Sequence, residues 1–264
     1  FIVFALFTLL IIYAGVRNGI ERVTRIMMPI LVVLSVIIAV YSITRPGALA
    51  GVKYFLVPNV QNFSWMTVVT AMGQMFYSLS IAMGILITFG SYMKKDISIE
   101  DSTKNVEIFD TAIAIMAGLM IIPAVFAFSG GDPNTLKAGP SLMFITIPKV
   151  FESMGLGSAL GVLFFVLVLF AAITSSIALT ESAVSTFEDE LHWNRKKATV
   201  IIGIIMIILG SLSSLGYGPL ASVTIIGMQF LDFFDFLTNS VMMPIAAIAI
   251  SLLISRVVGV DKIE

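Results

Sequence analysis

Few side chains in this sequence can bind an ion or a small polar ligand, and one group of them lies in an apolar run over residues 74–84. Ser78 and Ser80, followed by Ala82 and Gly84, alternate there at the midpoint of a long uncharged stretch. A helix that breaks at this depth in a membrane presents a positive dipole end and free carbonyl oxygens, which suit a carboxylate and a cation. The pattern predicts a binding site at a helix break; close packing of helices through small residues is the alternative.

A second group consists of three consecutive hydroxyl residues, Thr174, Ser175 and Ser176. Hydroxyl and carbonyl oxygens coordinate hard cations without the desolvation cost of additional carboxylates. Thr174 and Ser175 are therefore candidate sodium ligands. The alternative is that these hydroxyls only bond back to carbonyl oxygens one helical turn earlier.

Carboxylates also lie in or beside apolar stretches, at Asp110, Glu181, Asp232 and Asp235. An ionisable group at membrane depth costs about 2.5 kcal/mol or more, so it indicates a function by default. For Asp232 and Asp235, solvation at the membrane surface is the alternative. The acidic run at residues 188–190 is typical of a solvated face.

Membrane-spanning helices must position these groups, because the composition excludes an ordinary soluble domain. Hydrophobic residues make up 58% of the 264 residues and charged residues 12%, and the charges form short clusters between long apolar stretches. This pattern predicts an all-α polytopic membrane protein. The absence of cysteine excludes disulfides and thiolate metal sites, and a net charge of −1 without a basic face excludes nucleic acid as a partner.

Seven stretches are long enough, or nearly so, to cross about 30 Å of hydrocarbon at 1.5 Å per residue. They lie at about residues 1–16, 25–45, 54–92, 106–128, 156–187, 198–215 and 225–254. The third contains the Ser78–Gly84 group and is predicted to be broken at mid-membrane. Residues 129–152 combine a turn signal with a short apolar run, which predicts an extracellular loop carrying a short helix; an ordinary surface loop is the alternative.

Basic residues are divided unequally between the two sides of these spans. One side holds 11 of the 15 Lys and Arg residues, which predicts that it is cytoplasmic, with Phe1 outside and Glu264 inside. The protein is accordingly expected in the inner (plasma) membrane. Gly19 lies in the approach to the second span and Pro29 lies within it. Glycine tolerates unwinding and proline removes a donor, so local opening of the cytoplasmic part of this helix is predicted; a plain proline kink is the alternative.

Six motifs together resemble those of the neurotransmitter:sodium symporter family, especially its bacterial amino-acid transporters, and they cover nearly the whole chain in family order. They are GIERVTRIMMP (19–29), GQMFYSLSIAMG (73–84), ITFGSYMKKD (87–96), AGPSLMFITIPKVF (138–151), FAAITSSIAL (170–179) and FEDEL (187–191). The resemblance implies the inverted-repeat, leucine-transporter-like fold. It also implies that residues 1–264 are one transmembrane domain fragment, in which 1–53 are the last two helices of the first repeat and 54–264 form the second. The first three family helices are then a missing partner of this fragment.

The resemblance assigns roles to residues by motif position. Substrate-binding positions are Tyr77, Ser78, Ser80, Met83, Ser175 and Leu179. Sodium positions are Ser78 and Asp110 for one ion, with Asp110 at or beside its family position, and Ala171, Thr174 and Ser175 for the other. Gate carboxylates are Asp189 on the cytoplasmic side and Asp235 on the extracellular side, and the unwinding segment runs from Gly19 to Pro29. Ala82 departs from the family pattern, which has glycine there.

These positions imply sodium-coupled symport of an amino acid by alternating access, with two sodium ions and no organic cofactor. Tyr77, Met83 and Leu179 favour a hydrophobic or aromatic substrate. Asp110 supplies a fixed negative charge beside a cation, which predicts chloride independence. The alternatives are a channel, a non-sodium transporter of the same architecture, or an inactive truncated fragment. An enzyme is not expected, because the sole histidine, His192, lies in a predicted cytoplasmic loop, cysteine is absent and no carboxylate pair has a recognisable catalytic spacing.

Overall fold

The computed structural model describes residues 1–132, 139, 141–153 and 157–259, and in these ranges the chain is helical apart from loops and one isolated β-bridge between Ile225 and Met228. The α-helices are α1 (Ile2–Tyr13), α2 (Glu21–Ile43), α3 (Ala48–Leu56), α4 (Trp65–Ser78), α5 (Ile85–Ser91), α6 (Ile99–Ser129), α7 (Ile147–Glu152), α8 (Gly157–Leu191), α9 (Arg195–Leu215), α10 (Phe230–Asp235) and α11 (Met243–Leu253). Short π-helical segments precede α2 (Val16–Ile20) and α7 (Leu142–Thr146), join α10 to α11 (Phe236–Met242), and follow α11 (Ile254–Val258). The predicted all-α architecture is confirmed.

Five helical segments in the described ranges are long and apolar enough to cross a membrane. They are Val16–Ile43, Ile99–Ser129, Gly157–Leu191, Arg195–Leu215 and Phe230–Val258. Two of the seven predicted stretches lack a helix of that length: the first contains the 12-residue α1, and the third is divided between α4 and α5.

Helix α6 begins before the apolar stretch that predicted it. Its first turn carries Glu100 and Asp101, which favour a helix N-terminus, and Lys104 pairs with Glu100 at 2.6 Å. Hydropathy locates only the part of a helix that lies in hydrocarbon. The polar first turns are helical too, and therefore the prediction of a start near Val106 was seven residues late.

The described residues form two compact units. One comprises Phe1–Val23, Thr70–Ile99 and Ser175–Glu264, and the other comprises Thr24–Val69 and Glu100–Thr174. In the first unit, hereafter the mixed unit, α1 packs on glycines of α9: a Cβ on Gly203 would lie 2.8 Å from Leu9 Cδ1, and one on Gly210 would overlap the ring of Phe1. Small residues thus allow these two helices to approach closely.

The second unit has an apolar core built from α2, α6, α7 and the first half of α8. Ile38, Val125 and Val150 are fully buried in it, and the rings of Phe151 and Phe164 meet edge to face at 5.4 Å. The mixed unit differs in its interior. Seven of the nine buried polar residues that the structure describes belong to it: Thr8, Thr88, Thr180, Glu181, Ser182, Ser185 and Thr199. The buried polar side chains are therefore concentrated in the mixed unit.

Candidate functional site

The chain between α4 and α5 leaves helical geometry over residues 79–84. Ser80, Ala82 and Gly84 have φ angles of 56°, 63° and 76°, all in the left-handed region. This conformation costs a residue with a Cβ about 1–2 kcal/mol, and such strain is concentrated at functional sites. Ile81 N–H donates to the Phe76 carbonyl at 2.9 Å, which caps the end of α4.

The interruption lies directly against α8. Ser182 Oγ donates to the Met83 carbonyl at 3.4 Å, and a Cβ on Gly84 would stand 2.8 Å from that same Oγ. Residues 175, 179 and 182 share one helical face by their spacing of four and three. The face of α8 that contacts the interruption therefore also carries Ser175 and Leu179, two of the predicted substrate residues.

The predicted substrate residues of the third stretch lie on both sides of the end of α4. Tyr77 and Ser78 are its last two residues and are exposed, whereas Ser80 and Met83 lie in the interruption and are half-buried. Leu179 is 49% exposed on α8. These side chains all belong to the mixed unit.

The predicted ligands of the second sodium ion lie within about one turn of α8; they are Ala171, Thr174 and Ser175. Thr174 Oγ1 lies 3.0 Å from the Ala171 carbonyl oxygen and 3.1 Å from that of Phe170. The hydroxyl thus bonds back one turn, as the alternative reading of this motif expects. The Thr174 hydroxyl oxygen and the Ala171 carbonyl oxygen are 3.0 Å apart. This is about the distance between neighbouring ligand oxygens of a cation whose metal–oxygen distances are about 2.3–2.6 Å. The donor set therefore fits a hard cation.

Asp110, the predicted carboxylate of the first sodium ion, is half-buried on α6. Ser78, its predicted co-ligand, belongs to the mixed unit, whereas Asp110 belongs to the second unit, which has the apolar core.

Sequence reasoning singled out Glu181 but did not predict the ionic cluster to which it belongs. Glu181 on α8 is completely buried, and Arg195 at the start of α9 contacts both of its carboxylate oxygens, at 2.6 and 3.0 Å. Tyr92, which follows α5, donates its hydroxyl to Glu181 at 2.7 Å, and Arg195 Nε donates to the Ile12 carbonyl of α1 at 3.0 Å. Glu188 contacts the same guanidinium at 3.3 Å. We call these five residues the Arg195 cluster; it joins α1, α8, α9 and the end of α5.

Asp189, the predicted cytoplasmic gate carboxylate, differs from its neighbour Glu188 in exposure and in ion pairing. Asp189 is exposed and forms no salt bridge within the described ranges, whereas Glu188 is 25% exposed and pairs with Arg195. The interpretation of residues 188–190 as a solvated face is therefore wrong for Glu188. The signal was present in the sequence, since residues 181 and 188 are seven apart and share a helical face.

The predicted extracellular gate residue, Asp235, is the last residue of α10 and is exposed. Asn239 Nδ2 donates to its Oδ1 at 2.6 Å from within the π-helical segment Phe236–Met242.

The predicted unwinding segment begins in the π-helical turn Val16–Ile20. Gly19 is buried there, and a Cβ on it would overlap the Ile11 carbonyl oxygen, so glycine is required by space. Pro29 lies exposed inside α2, which continues through it to Ile43.

Three comparisons relate the chain to known proteins. Residues 1–264 match the model of the sodium:neurotransmitter symporter family. An uncharacterized sodium-dependent transporter of Bacillus subtilis (strain 168) is 37% identical over 253 residues, covering 96% of this chain and 55% of that protein. The sodium- and chloride-dependent glycine transporter 2 of Xenopus laevis is 28% identical over 223 residues, covering 79% and 28%.

The crystal structure of MhsT in complex with L-phenylalanine matches with a TM-score of 0.81 at 39% identity, covering 95% of this chain and 56% of that one. The predicted leucine-transporter-like fold is thereby confirmed. The chain spans about half the length of the bacterial relative and of MhsT.

Proposed function

The chain belongs to the sodium:neurotransmitter symporter family, and from this premise we propose that the protein carrying it is a sodium-coupled amino-acid symporter. The family consists of multi-pass membrane transporters rather than enzymes. One observation carries the proposal: the strained interruption at residues 79–84 lies on the face of α8 that holds Ser175 and Leu179. Irregular backbone at membrane depth is tolerated where it lines a cavity or a bound ion.

The substrate we propose is a hydrophobic or aromatic amino acid. Its charged groups would bind at the interruption near Ser78 and Ser80, and its side chain among Tyr77, Met83 and Leu179. The complex of MhsT with L-phenylalanine supports an aromatic ligand for this kind of fold.

Two sodium ions are proposed to accompany the substrate. Ala171, Thr174 and Ser175 would hold one, and Ser78 with Asp110 the other, as the motif positions imply. Inward movement of each ion across the membrane releases about 2.3 kcal/mol per 100 mV. The ions provide the driving force because the occupied and empty carriers differ in stability.

The Arg195 cluster is proposed to take part in opening the carrier on the cytoplasmic side. It ties Tyr92, which follows the interrupted helix pair, to α8 and α9, so its release would free the end of α5. Asp189 and the Gly19–Pro29 segment are proposed to act in the same opening, and Asp235 in closing the outer side. Residue 1 would then lie outside the inner membrane and residue 264 in the cytoplasm.

We propose that the chain corresponds to family helices four to ten, with residues 1–53 ending the first repeat and 54–264 forming the second. The predicted extracellular loop 129–152 is proposed to cover the outer entrance through its described part, because residues 133–138 and 140 lie outside the described ranges. The first three helices, supplied by the rest of the protein, would complete the site.

The sodium assignment is tested in the full-length protein, reconstituted in proteoliposomes with labelled L-phenylalanine as the probe. Thr174→Ala removes one ligand oxygen, and we expect the half-saturating sodium concentration to rise about tenfold, equivalent to about 1.4 kcal/mol. Thr186→Ala is the matched control, because Thr186 also bonds back one turn on α8, at 2.8 Å, and lies outside the proposed site. Equal sodium activation of both variants would reject the assignment of Thr174.

Chloride independence is tested in the same vesicles by replacing chloride with gluconate. We expect unchanged uptake, because Asp110 supplies the compensating negative charge. Uptake that falls steeply without chloride would contradict this role and would place the protein with the relatives whose names include chloride dependence.

A further inference from the structure

One side-chain hydrogen bond reaches across the junction between α10 and the π-helical segment that follows it. Asn239 Nδ2 donates to Asp235 Oδ1 at 2.6 Å, and the hydroxyl of Thr238 lies 3.5 Å from the amide oxygen of Asn239. A carboxylate only accepts hydrogen bonds, whereas the amide has one accepting and one donating end. The contact with Asp235 therefore fixes the orientation of the amide, with its NH₂ group toward the carboxylate, while the Thr238 hydroxyl donates its single proton to the Phe234 carbonyl at 2.8 Å.

The carboxylate is held on one side only. Its Oδ1 is engaged by Asn239, while Oδ2 makes no hydrogen bond and no salt bridge with the rest of the described chain. Asp232, one turn earlier on α10, is a second exposed carboxylate and supplies no counter-charge. The junction thus presents a fixed, exposed oxygen that a cationic group can approach.

The local backbone explains why residue 239 reaches residue 235 so closely. The segment Phe236–Met242 is π-helical and begins directly after Asp235. A π-helical turn closes with i→i+5 hydrogen bonds, and side chains four positions apart on a helix lie on the same face, so Asn239 is within reach of Asp235. Such turns occur frequently at functional sites.

We propose that Asn239 is a positioning residue that orients Asp235, so that Oδ2 receives a guanidinium or ammonium group at the outer entrance. The proposal rests on the function proposed above, in which Asp235 closes the extracellular side. A charge-assisted bond that fixes one oxygen lowers the conformational cost of the second contact, and thereby favours the closed state.

The test measures the KM of sodium-driven L-phenylalanine uptake by the full-length protein in proteoliposomes. For Asn239→Ala we expect a KM about fivefold to tenfold higher, the loss expected for one charge-assisted hydrogen bond, with an unchanged unfolding temperature. Asn239→Gln keeps an amide donor and should recover part of the loss. Ser240→Ala, in the same π-helical segment, is the control and should transport like the wild type.

A second arm separates positioning from a general structural role through equilibrium binding of labelled L-phenylalanine. In an Asp235→Asn background, Asn239→Ala should no longer change the affinity, because the charge it orients is gone. An equal loss of affinity in both backgrounds overturns the proposal alone. So does a wild-type KM for Asn239→Ala, provided that the wild type and Ser240→Ala transport normally. Absence of sodium-driven uptake by the wild type overturns the proposed function with it.

Discussion

Ser80 and Ala82 hold left-handed backbone angles that residues with a Cβ rarely adopt. The sequence indicated a helix break from the grouping of small residues, and Ala82 was the one position that departs from the family's glycine. Sequence alone does not reveal the strain, because the cost of a Cβ depends on the φ angle that the backbone adopts. At the φ of 63° of Ala82, a cost of about 1 kcal/mol relative to glycine is expected.

Ala82→Gly should therefore stabilise the protein by about 1 kcal/mol, since glycine adopts φ near +63° without a Cβ clash. The measurement is thermal unfolding of the purified full-length protein in detergent. Ala71→Gly is the matched control: Ala71 is exposed inside α4, where glycine should destabilise by about 1 kcal/mol. Destabilisation by both substitutions would show that Ala82 is not strained.

The Arg195 cluster could not be predicted as a unit from single residues. Glu181 was recognised as an ionisable group inside an apolar stretch, but Arg195 was counted only among cytoplasmic basic residues. Their pairing depends on how α8 and α9 pack, with Tyr92 and the Ile12 carbonyl completing the hydrogen bonds. Hydropathy and motif spacing carry no information about such contacts between helices.

At the scale of the elements, Arg195→Ala should separate helices that the cluster joins. It leaves Glu181 fully buried without its counter-ion, and we expect a loss of about 3 kcal/mol or more in unfolding free energy. Glu188→Ala is the control, because its contact with Arg195 is longer, at 3.3 Å, and more exposed, so about 1 kcal/mol or less is expected. The measurement is denaturant or thermal unfolding in detergent.

Similar losses for the two variants would contradict the central position of Glu181 in the cluster. In the double variant Arg195→Ala, Glu181→Ala, stability should partly return, because no charge remains buried without a partner.

The elements themselves were predictable to different degrees. Residues 156–187 and 198–215 predicted α8 and α9 to within a few residues, since both helices contain long runs that are mostly apolar. The third stretch predicted one broken span, and the chain there forms α4 and α5 with six residues between them. The π-helical segments at Val16–Ile20 and Phe236–Met242 had no signature that periodicity analysis detects, because one extra residue per turn hardly alters a short apolar pattern.

At the scale of the whole molecule, the chain belongs to the sodium:neurotransmitter symporter family and matches MhsT over 56% of that chain. The proposed symport gives Asp110, a carboxylate in an apolar stretch, the role of a sodium ligand. Coupling, however, is a property of the full-length protein, in which sodium and substrate must bind together before the carrier reorients.

Accumulation of labelled L-phenylalanine against its own gradient by the full-length protein in proteoliposomes decides whether that coupling exists. A tenfold inward sodium gradient supplies about 1.4 kcal/mol per ion, so two ions sustain accumulation of up to about 100-fold at zero membrane potential. We expect accumulation that requires the sodium gradient and collapses when a sodium ionophore dissipates it. Uptake that only equilibrates the probe across the membrane, with or without the gradient, would contradict symport and identify a passive channel.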